Sequence, residues 1–108
     1  MYRRSLLLVA VAATAAPPLA PAWAEDGAIM IDNFTFSPAV LTVPVGAKVV
    51  WTNRDDMPHS VVSADAPPVF KSHPLDTDDV FAMVFDKPGT YRYFCGLHPH
   101  MGGTVVVK

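Results

Sequence analysis

At 108 residues, 51% of them hydrophobic and 17% charged, the chain has room for one small domain. Its acidic balance, a formal net charge of −2, excludes the basic face on which nucleic-acid binding depends. Its single cysteine excludes an internal disulfide, so a core this small needs another staple, and a bound metal ion is the obvious one.

The N-terminal stretch reads as a secretory signal. Arg3 and Arg4 precede an apolar run from Leu6 to Ala13, and a Pro/Ala-rich region ends in Ala22-Trp23-Ala24, a fit to the small-residue rule for signal cleavage after Ala24. The apolar run is too short to span a bilayer, and Pro17, Pro18 and Pro21 interrupt it before the roughly 20 residues a span requires. The expected organisation is therefore a signal peptide over 1–24 and a domain over 25–108, periplasmic and not stably inserted in a membrane once processed. That domain has 84 residues, ten acidic and six basic, for a net charge of −4. A lone cysteine in an exported chain is an intermolecular bridge, a reactive thiol or a metal ligand.

From Gly27 onward, short apolar segments alternate with turn residues and no helical periodicity is sustained, which predicts an all-β domain. Ala28 to Phe34 reads as a first strand with Ile29 and Ile31 on one face, broken by Ser37-Pro38. Val40 to Val43 is extended, Pro44-Val45-Gly46 turns, and Lys48 to Thr52 is a β-branched and aromatic strand. Asn53 to Pro58 is a polar turn and His59 to Ser63 the next strand. Ala64 to Asp79, with Pro67, Pro68 and Pro74, is an irregular loop with one short edge strand at Val69 to Lys71. Val80 to Phe85 places Phe81, Met83 and Phe85 on one face, and after the Lys87-Pro88-Gly89 turn Tyr91, Tyr93 and Cys95 share a face by the period of two. Thr104 to Lys108 closes the domain. About seven short strands with turns between them predict a two-sheet Greek-key β-sandwich.

The chemistry gathers near the C-terminus, where Cys95, His98 and Met101 form a C-x2-H-x2-M run. Cys95 by itself would read as a small buried hydrophobe. Here it ends a strand, a glycine follows it, and a histidine and a methionine recur at threes, so one tight turn brings three donors toward a point. Thiolate, imidazole and thioether suit copper, and a second imidazole would complete a two-His, one-Cys set with a weak axial methionine. His59, at the head of an apolar run, is the best candidate for it. Zinc is the competing metal, since Cys95 with His59, His98 and His100 could make a tetrahedral site. His100, however, alternates with His98 across Pro99, which turns the two rings apart, and His73 lies in the irregular loop as a solvated side chain. A thiol-nucleophile enzyme fits poorly, because no Gly-rich strand-to-helix turn or helix N-terminus is evident to supply an oxyanion hole.

Trp51-Thr52-Asn53, Met57-Pro58-His59, Pro88-Gly89-Thr90-Tyr91, the Cys95 to Met101 loop and Val105-Val106-Val107 together resemble the small type I (blue) copper proteins of the cupredoxin family. The two-residue gaps on either side of His98 are similar to the short-loop amicyanin type. The resemblance implies His59, Cys95, His98 and Met101 as ligands of one copper cycling between Cu(II) and Cu(I). It also implies that Asn53 ties the His59 loop to the cysteine loop, partly through its backbone N–H to the thiolate, although Gly96 stands where a hydroxyl residue is common. The expected protein is not an enzyme but a monomeric one-electron carrier. Its partners would be redox proteins, with a periplasmic amine-oxidising dehydrogenase and a c-type cytochrome implied by the resemblance. The alternative is a carrier that delivers or buffers copper for a partner enzyme.

Overall fold

The computed structural model describes residues 26–108 and forms eight strands: β1 (Gly27–Asp32), β2 (Thr35–Ser37), β3 (Val40–Val43), β4 (Ala47–Asn53), β5 (Val62–Ser63), β6 (Val80–Phe85), β7 (Gly89–Phe94) and β8 (Gly102–Val107). They make two mixed four-stranded sheets, in the orders β2-β1-β4-β6 and β3-β8-β7-β5. β1 runs parallel to β4 and β3 parallel to β8, and the remaining pairs are antiparallel. The expected signal segment, and the cleavage site after Ala24, lie outside the described residues.

Alternation decides which side of each strand meets the other sheet. Ile29 and Ile31 of β1, Val49 and Trp51 of β4, Phe85 of β6, Tyr93 of β7, and Val105 and Val107 of β8 point inward and are buried. Trp51 is the centre of this core. Its ring lies 5.4 Å from Tyr93, 5.6 Å from Phe81, 6.0 Å from Phe70 and 6.3 Å from Phe85, centroid to centroid. Each large apolar side chain buried this fully contributes about 1.5–3 kcal/mol, so the aromatic cluster dominates cohesion in a domain of this size.

The turn at Pro44-Val45-Gly46 needs its glycine. Gly46 sits at φ 92°, a region open to glycine and strained for other residues, and from there its N–H reaches the Phe85 carbonyl at 2.6 Å.

Three expected elements differ. The first strand does not run to Phe34: β1 ends at Asp32, Asn33 and Phe34 turn the chain at positive φ, with the Phe34 N–H drawn to Asp55 Oδ2, and the chain returns as β2. His59 does not begin a strand: β5 is only Val62–Ser63, and His59 forms an isolated bridge to Leu75, with N–H···O bonds of 3.1 and 2.6 Å in the two directions. Val69 to Lys71 likewise is not a strand, for only Lys71 bridges, to Val62. The cause of these last two is common. The segment after Pro68 folds back along Val61 and His59 with the backbone bonds Ser63 N–H to Phe70 and Ser72 N–H to Val61, but Ser72 Oγ takes the Val61 N–H at 2.8 Å, so a side-chain bond interrupts the ladder.

Candidate metal centre

The loop from Asn53 to His59 is built by side chains that bond to backbone. Asn53, fully buried at the end of β4, donates from Nδ2 to the carbonyls of Met57 (2.9 Å) and Leu75 (2.8 Å), and its Oδ1 accepts the Asp55 N–H at 2.9 Å. One amide side chain thus ties the two segments that flank His59. A buried amide with these bonds made is a rigid strut, because breaking one leaves a polar atom without water.

His59 is completely buried. Its Nε2 lies 2.8 Å from Asp55 Oδ2, which also accepts the Phe34 backbone N–H at 3.0 Å. The Asp55 carboxyl is held down to about 2, first by the His59 hydrogen bond and then by the Phe34 N–H, so the carboxylate is ionised and can only accept. Nε2 therefore carries the proton and donates, which leaves the Nδ1 lone pair facing away from Asp55, toward Cys95. A carboxylate that fixes the tautomer and the ring plane in this way also raises the basicity of the free nitrogen.

Cys95 follows β7 and is fully buried. Its loop closes on itself: His98 N–H donates to the Cys95 carbonyl (3.2 Å), Met101 N–H to the His98 carbonyl (2.9 Å) and Cys95 N–H to the Met101 carbonyl (3.1 Å). These three bonds convert the spacing of threes into a compact turn, with Met101 buried beneath it and His98 half-buried above. The Ser60 N–H points at Cys95 Sγ from 3.3 Å, and Ser60 Oγ accepts the Gly96 N–H at 2.9 Å. A Cβ on Gly96 would lie 2.8 Å from that Oγ, so only glycine lets the two loops approach this closely.

Cys95 Sγ is 3.7 Å from His59 Nδ1 and 3.7 Å from His98 Nδ1, and the two nitrogens are 3.2 Å apart. The point equidistant from all three lies about 2 Å from each in their plane, within the range of metal–nitrogen and metal–sulfur bonds. The donor set therefore fits a metal ion in trigonal geometry, and two imidazoles with one thiolate is the copper pattern. His59, Cys95 and His98 are the one such cluster of His, Cys, Asp and Glu among the described residues. His100 is exposed, its ring 6.4 Å from that of His98, and stands outside the cluster. His73 is exposed too, with Nδ1 on the Pro74 carbonyl at 2.9 Å.

The comparisons with known proteins agree with this geometry. The Cupredoxin-like domain family matches residues 5–107. The chain belongs to the cupredoxin-like family. Amicyanin of Paracoccus denitrificans is 37% identical over 98 residues, covering 84% of this cupredoxin and 73% of its own length. Amicyanin-alpha of Methylorubrum extorquens is 33% identical over 102 residues, covering 92% and 86%. A solved structure described as a novel purple cupredoxin from Nitrosopumilus maritimus superposes with a TM-score of 0.72 at 39% identity, over 77% of this chain and all of that one. This cupredoxin is accordingly a copper protein of the electron-carrier kind and not an enzyme.

Residues around the site depart from expectation in instructive ways. Asn53 does not reach the thiolate: the N–H aimed at Sγ, and the tie between the two loops, belong to Ser60. The Asn53 backbone N–H donates instead to the Asp79 carbonyl at 3.0 Å, and its side-chain amide is engaged by the 55–57 turn and Leu75, whereas Ser60 follows His59 directly. From the sequence Asp55 is not singled out, although an acid four residues before a candidate ligand histidine is a readable signal. Phe34 gave none. Its ring packs edge-on against both imidazoles from a hairpin more than twenty residues upstream.

Proposed function

We propose that this cupredoxin is a small soluble one-electron carrier whose copper would be held by His59 Nδ1, Cys95 Sγ and His98 Nδ1, with Met101 as a fourth, weaker donor. The observation that carries the reading is the triangle of three donors already at bonding distance from a common centre. The ion supplies a Cu(II)/Cu(I) couple. The chain supplies rigidity: Asp55 holds His59, Ser60 holds the thiolate loop against the His59 loop, and three backbone bonds hold His98 and Met101, so little rearranges when charge changes at the centre.

His98, half-buried where His59 is sealed, is the exit for the electron. Met57 and Leu97, both large, apolar and exposed, stand with the exposed Pro58 and Pro99 on the two loops that carry His59 and His98. Such an apolar rim suits brief docking with a redox protein, since a small face without charge pairs forms and dissociates quickly. A periplasmic location, reached through residues 1–24 as a cleaved signal with the domain over 25–108, fits a periplasmic dehydrogenase as donor and a c-type cytochrome as acceptor. Copper delivery is the weaker reading, because two of the three donors are completely buried and a delivery protein must release its ion quickly.

The test is reconstitution with Cu(II). The loaded protein is expected to show an intense visible thiolate-to-copper band that Cys95→Ser abolishes, with electron self-exchange far faster than copper loss to a chelator. A colourless protein that takes zinc in preference, or copper loss faster than self-exchange, overturns the reading.

A further inference from the structure

The two-residue loop between β1 and β2 is occupied by Asn33 and Phe34, flanked by the pair Asp32↔Thr35. Both residues have left-handed backbones, with φ of 51° and 56°. Loops of this type favour Asn followed by Gly, because both central positions require positive φ. Asn33 follows that preference and Phe34 violates it: a bulky side chain at positive φ is a strained exception, of the kind that persists where the surroundings over-determine it.

What surrounds Phe34 is the copper site. Its ring centroid lies 5.3 Å from that of His59 and 5.0 Å from that of His98, at 89° to both, while 40% of the residue remains exposed. Its N–H donates to Asp55 Oδ2, the same oxygen that accepts the His59 proton. The strained turn is thus pinned at its backbone by the carboxylate that orients one imidazole, and its ring bridges both imidazoles with the opposite side toward solvent.

On the copper reading above, we propose that Phe34 is a positioning residue for the metal centre, a strained aromatic cover that holds His98 beside His59, keeps water from that flank and slows copper release. The physical basis is edge-to-face packing, which constrains the tilt of an imidazole as well as its position. His59 has Asp55 to orient it, whereas His98 sits on a loop and is half-buried, so Phe34 is the aromatic group that fixes both rings together.

Phe34→Gly separates site from fold. Glycine keeps the backbone N–H for Asp55, relieves the left-handed strain and removes only the ring. The urea midpoint of the copper-free variant is therefore expected to equal or exceed that of the wild type. Copper transfer to a chelator from the loaded variant should quicken between about 5-fold and about 150-fold, the range for losing two aromatic edge contacts. The Cu(II) EPR spectrum should shift with it, and Phe34→Tyr should keep wild-type release to within about twofold, since its ring edge is preserved. Unchanged release and EPR in Phe34→Gly overturn the proposal. So does a lower copper-free midpoint that accounts for the faster release, which would make Phe34 an ordinary packing residue. Failure of the wild type itself to bind one copper would instead remove the reading on which this inference rests.

Discussion

Ser60 and Gly96 should behave as one unit, and a double-mutant cycle can measure it. In Ser60→Ala, the bond from the Gly96 N–H to Oγ disappears, a loss of about 1 kcal/mol for a typical net hydrogen bond. For a domain of this size that lowers the melting temperature by about 4–8 °C. In Gly96→Ala the new Cβ would stand 2.8 Å from Ser60 Oγ and 3.3 Å from Val62 Cγ2. Ser60 Oγ is held there by the Gly96 N–H, so it can move aside only by giving up that bond; otherwise the loops must part, at the roughly 1–3 kcal/mol typical of overpacking. With Ser60→Ala already present, the atom that Cβ meets first is gone, and Gly96→Ala should then cost little, with a coupling of at least about 1 kcal/mol between the two sites. Urea unfolding of the copper-free proteins reads the four stabilities. The Cu(II) spectrum of each reads whether the thiolate has moved with the loop. Additive effects, or a Gly96→Ala variant as stable as wild type, would show that the two loops are not held together by this contact.

Further expectations concern the staple, the ligand support, the core and the processing of the chain. Copper-loaded protein should melt well above copper-free protein, by the equivalent of about 2.7 kcal/mol when free copper is one hundred times its Kd; coincident melts would show that the metal does not stabilise the fold. Asp55→Ala removes the acceptor that fixes His59 and should weaken copper binding by about 10- to 100-fold in competition with a chelator, whereas unchanged affinity would make that bond incidental. Burial pushes the Tyr93 phenol up to about 12. Because the folded value lies above the unfolded one of about 10, the associated stability is complete below about pH 10 and is lost as pH rises through about 12. Tyr93→Phe should flatten that alkaline arm at little cost near neutrality, since the hydroxyl is a buried group with no protein partner, and an unchanged alkaline profile would place the titration elsewhere. Intact-mass analysis of exported protein should find Glu25 first, and recovery of the full chain from membranes would reverse that expectation.

What could be read from the sequence followed physical simplicity. Val40–Val43 and Val80–Phe85 were legible to the residue, because alternation against a core and flanking turn residues are local signals. The cysteine loop was legible because its donors lie within seven positions of one another. From the sequence His59 reads as the head of a strand because an apolar run follows it, while the bridge to Leu75 that actually holds it spans sixteen positions, with β5 and an irregular loop between. Ser60 was overlooked because a serine beside a ligand has no signature of its own, and its role exists only once Cys95 and Gly96 arrive from β7. From the sequence Phe34 reads as the end of a strand. Its aromatic, β-favouring character gave the opposite of the left-handed turn that tertiary contacts impose.

The parallel pairing of β3 with β8 constrains when this domain can come into being. Val40 lies opposite Thr104, and Val43 opposite Val107, so one sheet is joined by strands that are distant along the chain. Closing so long a loop is entropically unfavourable before the contacts it makes can reward it, which places such domains toward the slow end of folding rates. Because β8 also sits between β3 and β7, a chain emerging N-terminus first cannot assemble that sheet until β8 has emerged. The cysteine loop lies between β7 and β8 and is shaped by their meeting. Its donors consequently remain dispersed until β8 docks, and a partly synthesised chain presents no finished site on which a stray metal ion could be trapped.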